Sequence, residues 1–222
     1  MTSLAGESQE VRQLAGAAKP LPRVVLVTGG TEGVGALISR RMKDDGHIVA
    51  ATYRNERQAA AWQDAMEKEN RLFFIYPNDV KSLPACRRLA ARIAQDIGAV
   101  DVLVNAAGRG FGRGREYDSA FGITCAVMDG MLDKGFGRIV NVSFMSDLEK
   151  NGAESVHALT RELFPEVSQR GIAVNTVSPG EATPLPGVFR KPGDVAEIVS
   201  LLAADEAGLV SGRDVPAAGY RR

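Results

Sequence analysis

Residues suited to holding phosphates come early in this chain. Thr28-Gly29-Gly30-Thr31-Glu32-Gly33-Val34-Gly35 follows the apolar run Val24-Val25-Leu26-Val27 and precedes a segment with Leu37, Ile38, Arg41 and Met42 at helical spacing. The glycines at 29, 33 and 35 permit a tight turn and let a diphosphate approach the backbone. The helix start beyond them offers free N–H groups and positive dipole density. Strand before and helix after distinguish this reading from a glycine turn that only packs. The end of the next apolar segment bears on which dinucleotide is held. An acid there would bond the ribose hydroxyls of NAD, and a base would accommodate the 2′-phosphate of NADP. The sequence reads Thr52-Tyr53-Arg54-Asn55, with no acid before Glu56. Arg54 therefore favours NADP(H) over NAD(H), a solvated surface arginine being the plain alternative. Glu32 is a counter-signal, because its carboxylate would repel a nearby 2′-phosphate.

Such a loop needs a strand to launch it and neighbours to flank it. Apolar runs at 24–27, 47–52, 72–76 and 100–105 alternate with helical patterns at 36–45, 56–70 and 83–97. The first run is β-branched and continuous, as in a strand buried on both faces. Further on, helices are expected over 119–134, 155–170 (with Pro165 kinking it) and 194–204. Strands are expected over 138–143, 172–177 and 214–217. Strand–helix alternation with short connections predicts an α/β fold: a Rossmann-like, doubly wound parallel sheet of six or seven strands. Residues 1–21 read as a flexible tail and 22–222 as one dinucleotide-binding domain.

Composition narrows the classes. The 222 residues suit one domain, and 27 basic side chains balance 27 acidic ones. That balance argues against a nucleic-acid partner. No apolar run approaches the roughly 20 residues that span a bilayer, so no membrane partner is expected. The start of the chain lacks a cationic segment followed by an apolar one, and Cys86 and Cys125 are scattered thiols. Both features fit the cytoplasm. Two histidines, His47 and His157, are too few for a multi-histidine metal centre, and no metal site is expected.

Ordered motifs extend the glycine loop. The spacing Thr-Gly-x3-Gly-x-Gly resembles that of the short-chain dehydrogenase/reductase family. Asn78-Asp79-Val80 resembles the family's adenine-contacting Asp-Val. Asn105-Ala106-Ala107-Gly108 resembles its Asn-Asn-Ala-Gly. Residues 137–143 resemble its fifth strand, and 174–180, ending Pro179-Gly180, resemble its sixth. The wording is closest to acetoacetyl-CoA and 3-oxoacyl-carrier-protein reductases. The resemblance implies a cofactor site drawn from Gly29, Thr31, Gly33, Val34, Gly35, Tyr53, Arg54, Asn55, Asp79, Val80, Asn105, Ala106, Ala107, Gly108, Pro179 and Gly180.

The resemblance fails at the family's reactive residues. A serine polarises the carbonyl, a tyrosine donates the proton, and a lysine four residues on lowers the tyrosine's pKa. Here the serine position is Phe144, and ungapped reading back from Asn175 puts Glu149 and Ala153 at the tyrosine and lysine positions. Ser143 survives, but adjacent strand residues face opposite ways. No Tyr-x3-Lys occurs in the chain, whose tyrosines are 53, 76, 117 and 220. The family's structural asparagine corresponds to Glu116. The segments after Gly108, Phe144 and Gly180 are abbreviated, so the substrate region is shortened. The catalytic residues are therefore unknown.

Two functions stay open. One is an oxidoreductase with a non-standard site, transferring hydride to a cationic C=N or pterin-type substrate that needs no proton donor at oxygen. The alternative is a non-catalytic nucleotide-sensing or partner-binding pseudoenzyme. Partners would be the dinucleotide, a small-molecule substrate, and a homo-oligomer or a hetero-oligomer with an active relative. Arg109, Arg113 and Arg115 in a glycine-rich loop could grip a substrate phosphate, or be solvated. His157 and Trp62 read as packing residues, and Glu149-Lys150 as an exposed charge pair.

Overall fold

Continuous apolar runs can be buried on both faces only in the middle of a layered structure. The computed structural model has that architecture. It describes residues 21–77, 80, 82–107, 115–143, 156–178 and 192–217, with backbone alone for 115–118 and 192. The expected tail lies outside these residues up to position 20. In chain order the elements are β1 (Val24–Thr28), α1 (Gly33–Asp44), β2 (Ile48–Tyr53), α2 (Glu56–Lys68) and β3 (Phe74–Pro77). Next come α3 (Leu83–Asp96), β4 (Val102–Asn105), α4 (Arg115–Lys134), β5 (Gly137–Val142) and α5 (Val156–Val167). The last are β6 (Ile172–Ser178), α6 (Pro192–Ala203) and β7 (Asp214–Pro216).

The seven strands form one sheet in the order β3-β2-β1-β4-β5-β6-β7. Every neighbouring pair is parallel. Alternation along each strand divides the apolar residues between two cores. Val25, Val27, Val102, Val104, Val140 and Val142 face one side, where Ile38 and Met42 of α1 and Val195 and Val199 of α6 meet them. Val24, Leu26, Leu103 and Ile139 face the other, against Leu89 and Ile93 of α3 and Ile123 and Met131 of α4. The sheet is thus covered on both faces, as the strand–helix alternation predicts.

Local signals set the helix starts. Asn55 caps α2 by accepting a hydrogen bond from the Gln58 N–H at 3.1 Å, and Ser82 caps α3 with Pro84 in its first turn. Three helices begin earlier than expected, α6 at Pro192 rather than Asp194. Helix α1 starts at Gly33, inside the glycine loop, and α4 starts at Arg115 rather than Ser119. Helix α5 contains Pro165 and gives way at Ser168 to a short 3₁₀ turn.

Strand order reverses beside β1. β2 and β3 extend to one side of it, β4 to β7 to the other. In such sheets the crevice for ligands opens at the carboxyl ends of the strands flanking this point. Thr28, at the end of β1, lies in register with Asn105 at the end of β4. This placement depends on β4 being fully enclosed. Replacing the solvent-inaccessible Leu103 with alanine should cost about 2–5 kcal/mol in urea unfolding. Leu209→Ala, at a position 96% exposed, should change stability by about 0.5 kcal/mol or less.

Candidate functional site

The site is built on Thr28. Its side chain is buried, and its Oγ1 accepts hydrogen bonds from the Ala106 N–H at 3.1 Å and the Ala107 N–H at 3.2 Å. The same hydroxyl donates to the Val104 carbonyl at 3.4 Å. One side chain thereby fastens the chain leaving β4 to the end of β1. On the other flank, the Gly29 N–H donates to Thr52 Oγ1 at 2.9 Å, tying in β2. Three strand ends are held around one turn.

The turn has little room for side chains. Gly29 has φ +65° and Gly33 φ +53°, left-handed values that favour glycine. A Cβ on Gly30 would lie 2.7 Å from Ser39 Oγ and 2.9 Å from Ala51 Cβ. Ser39, on α1, donates to the Gly30 carbonyl at 2.8 Å and clamps the loop onto its own helix. A Cβ on Gly35 would run into the carbonyl oxygen of Gly29. At Gly33, by contrast, nothing lies within 4 Å of an added Cβ. The loop is packed tightly beneath and open at Gly33.

The first N–H groups of a helix have no partner within it. Glu32 occupies the N-cap position of α1 in an extended conformation, and its side chain makes no capping bond. Uncapped N–H groups, positive dipole density and an open glycine form a cradle that fits a dinucleotide diphosphate. Glu32 turns instead to Arg54 just beyond β2, with Oε1 to NH2 at 3.1 Å. Both side chains are substantially exposed.

The other expected cofactor residues have varied surroundings. Thr31 and Val80 are buried, and Val34 packs against the first core. Tyr53 is half-buried at the end of β2. Asn55 is committed to capping α2. Ala106 is buried and Ala107 half-buried beside the turn, where a Cβ on Gly29 would lie 3.2 Å from Ala107 Cα. Asp79, Gly108, Pro179 and Gly180 lie outside the described residues, as do Phe144, Glu149, Lys150, Ala153, Arg109 and Arg113.

Asn105 opens a buried polar chain that sequence reasoning missed. Its Nδ2 donates to Asn141 Oδ1 at 2.8 Å and to Thr124 Oγ1 at 3.3 Å. Asn141 Nδ2 donates to Thr160 Oγ1 at 2.8 Å, and the Thr160 and Thr176 hydroxyls are 2.7 Å apart. The chain links β4, α4, β5, α5 and β6. An asparagine inside an otherwise apolar run, as at 141, was the available signal. Among the described residues, Asn105 Oδ1 and Ser143 Oγ lack hydrogen-bond partners despite burial.

Tyr76 belongs to the structure rather than to the crevice. Its hydroxyl meets Asp96 at 3.0 Å, and burial, reinforced by that carboxylate, pushes its pKa up to about 12. Trp62 packs on Phe73, with ring centroids 4.7 Å apart. Among the described residues no cluster of potential metal ligands occurs, and no helix is long and apolar enough to cross a membrane.

A sequence model of the short chain dehydrogenase family matches residues 23–185. The chain belongs to that family. It is 34% identical to an acetoacetyl-CoA reductase of Rhizobium meliloti, over 90% of this chain and 98% of that one. A 3-oxoacyl-[acyl-carrier-protein] reductase of Haemophilus influenzae is 27% identical over 86% of this chain and 94% of its own. The alignment with the Rhizobium reductase spans 240 positions, more than the 222 residues present here, so that relative carries segments this chain lacks. The fold matches the solved structure of a 3-oxoacyl-reductase candidate from Bacillus thuringiensis. The TM-score is 0.72 at 22% identity, covering 88% of this chain and 96% of the other. The family implies dinucleotide binding.

Two substitutions test this geometry. Gly35→Ala should lower dinucleotide affinity at least about tenfold in a fluorescence titration, because the loop must shift and its N–H groups lose their aim. Asn141→Ala removes one partner each from Asn105 Nδ2 and Thr160 Oγ1, which keep Thr124 and Thr176, and should cost about 1–3 kcal/mol in urea unfolding.

Proposed function

We propose that this short chain dehydrogenase binds NADP(H) in preference to NAD(H) and does not reduce ketones by a Ser-Tyr-Lys mechanism. The observation that carries the second part is the joint replacement of three reactive positions by Phe144, Glu149 and Ala153, with no Tyr-x3-Lys elsewhere. A single change could be a different acid. Three together remove the donors a developing alkoxide needs, and each such donor is worth on the order of 10²–10³ in rate. Neither remaining tyrosine with a described side chain supports a substitute acid. Tyr76 is held by Asp96, and Tyr53 ends β2, on the side of the crevice away from β5.

Arg54 supports the cofactor preference, as a base where the second strand ends. Bound NADP(H) supplies a hydride. The glycine turn and the start of α1 hold the diphosphate, and Arg54 meets the 2′-phosphate. A substrate that accepts hydride at a cationic C=N centre, such as an iminium or pterin, forms no alkoxide. It requires only positioning from the protein. The substrate region, abbreviated beside the relatives named above, suits a compact acceptor better than a carrier-bound acyl chain.

The test is a nicotinamide-fluorescence titration followed by an acceptor screen. NADPH should bind more tightly than NADH. Acetoacetyl-CoA should leave NADPH unoxidised, while a cyclic iminium or dihydropterin should oxidise it. Reduction of acetoacetyl-CoA at rates usual for reductases would overturn the non-standard site. Binding of NADPH with turnover of neither acceptor class would instead assign the chain as a non-catalytic nucleotide-sensing or partner-binding protein.

A further inference from the structure

We infer that Glu32 is a built-in rival of the cofactor's 2′-phosphate for Arg54, and that it limits how far this chain favours NADP(H) over NAD(H). The inference rests on the dinucleotide reading above. It goes beyond that reading by assigning the specificity to a pair rather than to Arg54.

The contact joins residues brought together by the fold. Glu32 precedes α1 and Arg54 follows β2, yet Glu32 Oε1 lies 3.1 Å from Arg54 NH2. The backbone tethers that hold them are short. The Gly29 N–H is bonded to Thr52 Oγ1, which ties the glycine turn to the end of β2. An acid at the N-cap position of α1 could also bond the helix's free N–H groups, but Glu32 makes no such cap. Its carboxylate leaves the diphosphate cradle clear and lies on the arginine expected to meet the 2′-phosphate.

Charge then decides the consequence. A 2′-phosphate approaching Arg54 alone would meet a full positive charge. Approaching the Glu32–Arg54 pair, it meets no net charge and a carboxylate in the place its oxygens would occupy. The pair is exposed, so it can open, and its worth depends on salt. NAD(H) carries hydroxyls there, which a carboxylate accepts without penalty. The pair thus holds back NADP(H) and leaves NAD(H) almost untouched.

The experiment measures NADPH and NADH dissociation constants by fluorescence for the full chain, Glu32→Gln, Arg54→Gln and the double variant. Titrations run at about 0.01 M and about 1 M ionic strength, where screening lengths are about 30 Å and about 3 Å. At low salt Glu32→Gln should bind NADPH about tenfold more tightly, the scale of one screened like-charge contact near a surface. NADH should change by less than about twofold, and the NADPH gain should shrink at high salt. Arg54→Gln should weaken NADPH selectively. Unchanged melting temperatures and NADH affinities would separate these effects from misfolding. If both cofactors bind and Glu32→Gln leaves their ratio unaltered, the rivalry is overturned while the dinucleotide reading stands. If the full chain prefers NADH and Glu32→Gln reverses that, the rivalry is supported and the NADP(H) preference is overturned. Binding of neither cofactor to any variant would overturn both.

Discussion

The hydroxyl of Thr28 is the joint on which this molecule's crevice depends. At the reversal point of a parallel sheet, two strands diverge, and the backbone N–H groups beyond their ends lose their ladder partners. Buried groups of that kind must be paired elsewhere. Thr28 Oγ1 supplies the partner for both Ala106 and Ala107, and Thr52 Oγ1 does the same for Gly29. Two hydroxyls thus allow the chain to leave the sheet on both sides without unsatisfied donors. The glycine turn can then pass close to β4 and present the start of α1 outward. Valine at position 28 would preserve shape and β propensity, yet it would strand both N–H groups.

Much of this was legible in the sequence because it rests on local rules. The run Val24-Val25-Leu26-Val27 alternates between two cores, and a strand buried on both faces leaves no polar positions to mask it. The glycine turn was legible because strand and helix flank it. The polar chain through Asn105, Asn141, Thr160 and Thr176 was not. It forms because β4 and β5 pair Asn105 with Asn141 in register, a relation across 36 residues that no local pattern encodes. The Glu32–Arg54 contact falls between these cases. Each residue stood out by its type, as opposed signals about one phosphate. Their meeting depended on the end of β2 lying beside the start of α1.

The two halves of the crevice face different physical constraints. At the glycine turn the backbone is closely packed, so a Cβ on Gly30 or Gly35 collides with neighbouring atoms and one on Gly29 is strained by its left-handed φ. Sequence drift there is penalised by sterics as well as by function. On the substrate side the ends of β4, β5 and β6 are joined by side-chain hydrogen bonds within the sheet and its covering helices. Among the described residues, that network is built from asparagine and threonine side chains.

Fold and chemistry place different demands on such a chain. Proton donation requires side chains aimed at one atom, and each can be lost without disturbing the two cores. Hydride transfer requires chiefly that the dinucleotide be held in place, which on the proposed reading is the task of the packed glycine turn. The remaining control over function passes to charge at the cradle's rim. There the Glu32–Arg54 pair is exposed and costs the fold little to change, and on the proposed reading it faces the one region where the two nicotinamide dinucleotides differ. Tuning of such a protein should therefore concentrate at the rim, because the turn beneath cannot vary without breaking the joint made by Thr28.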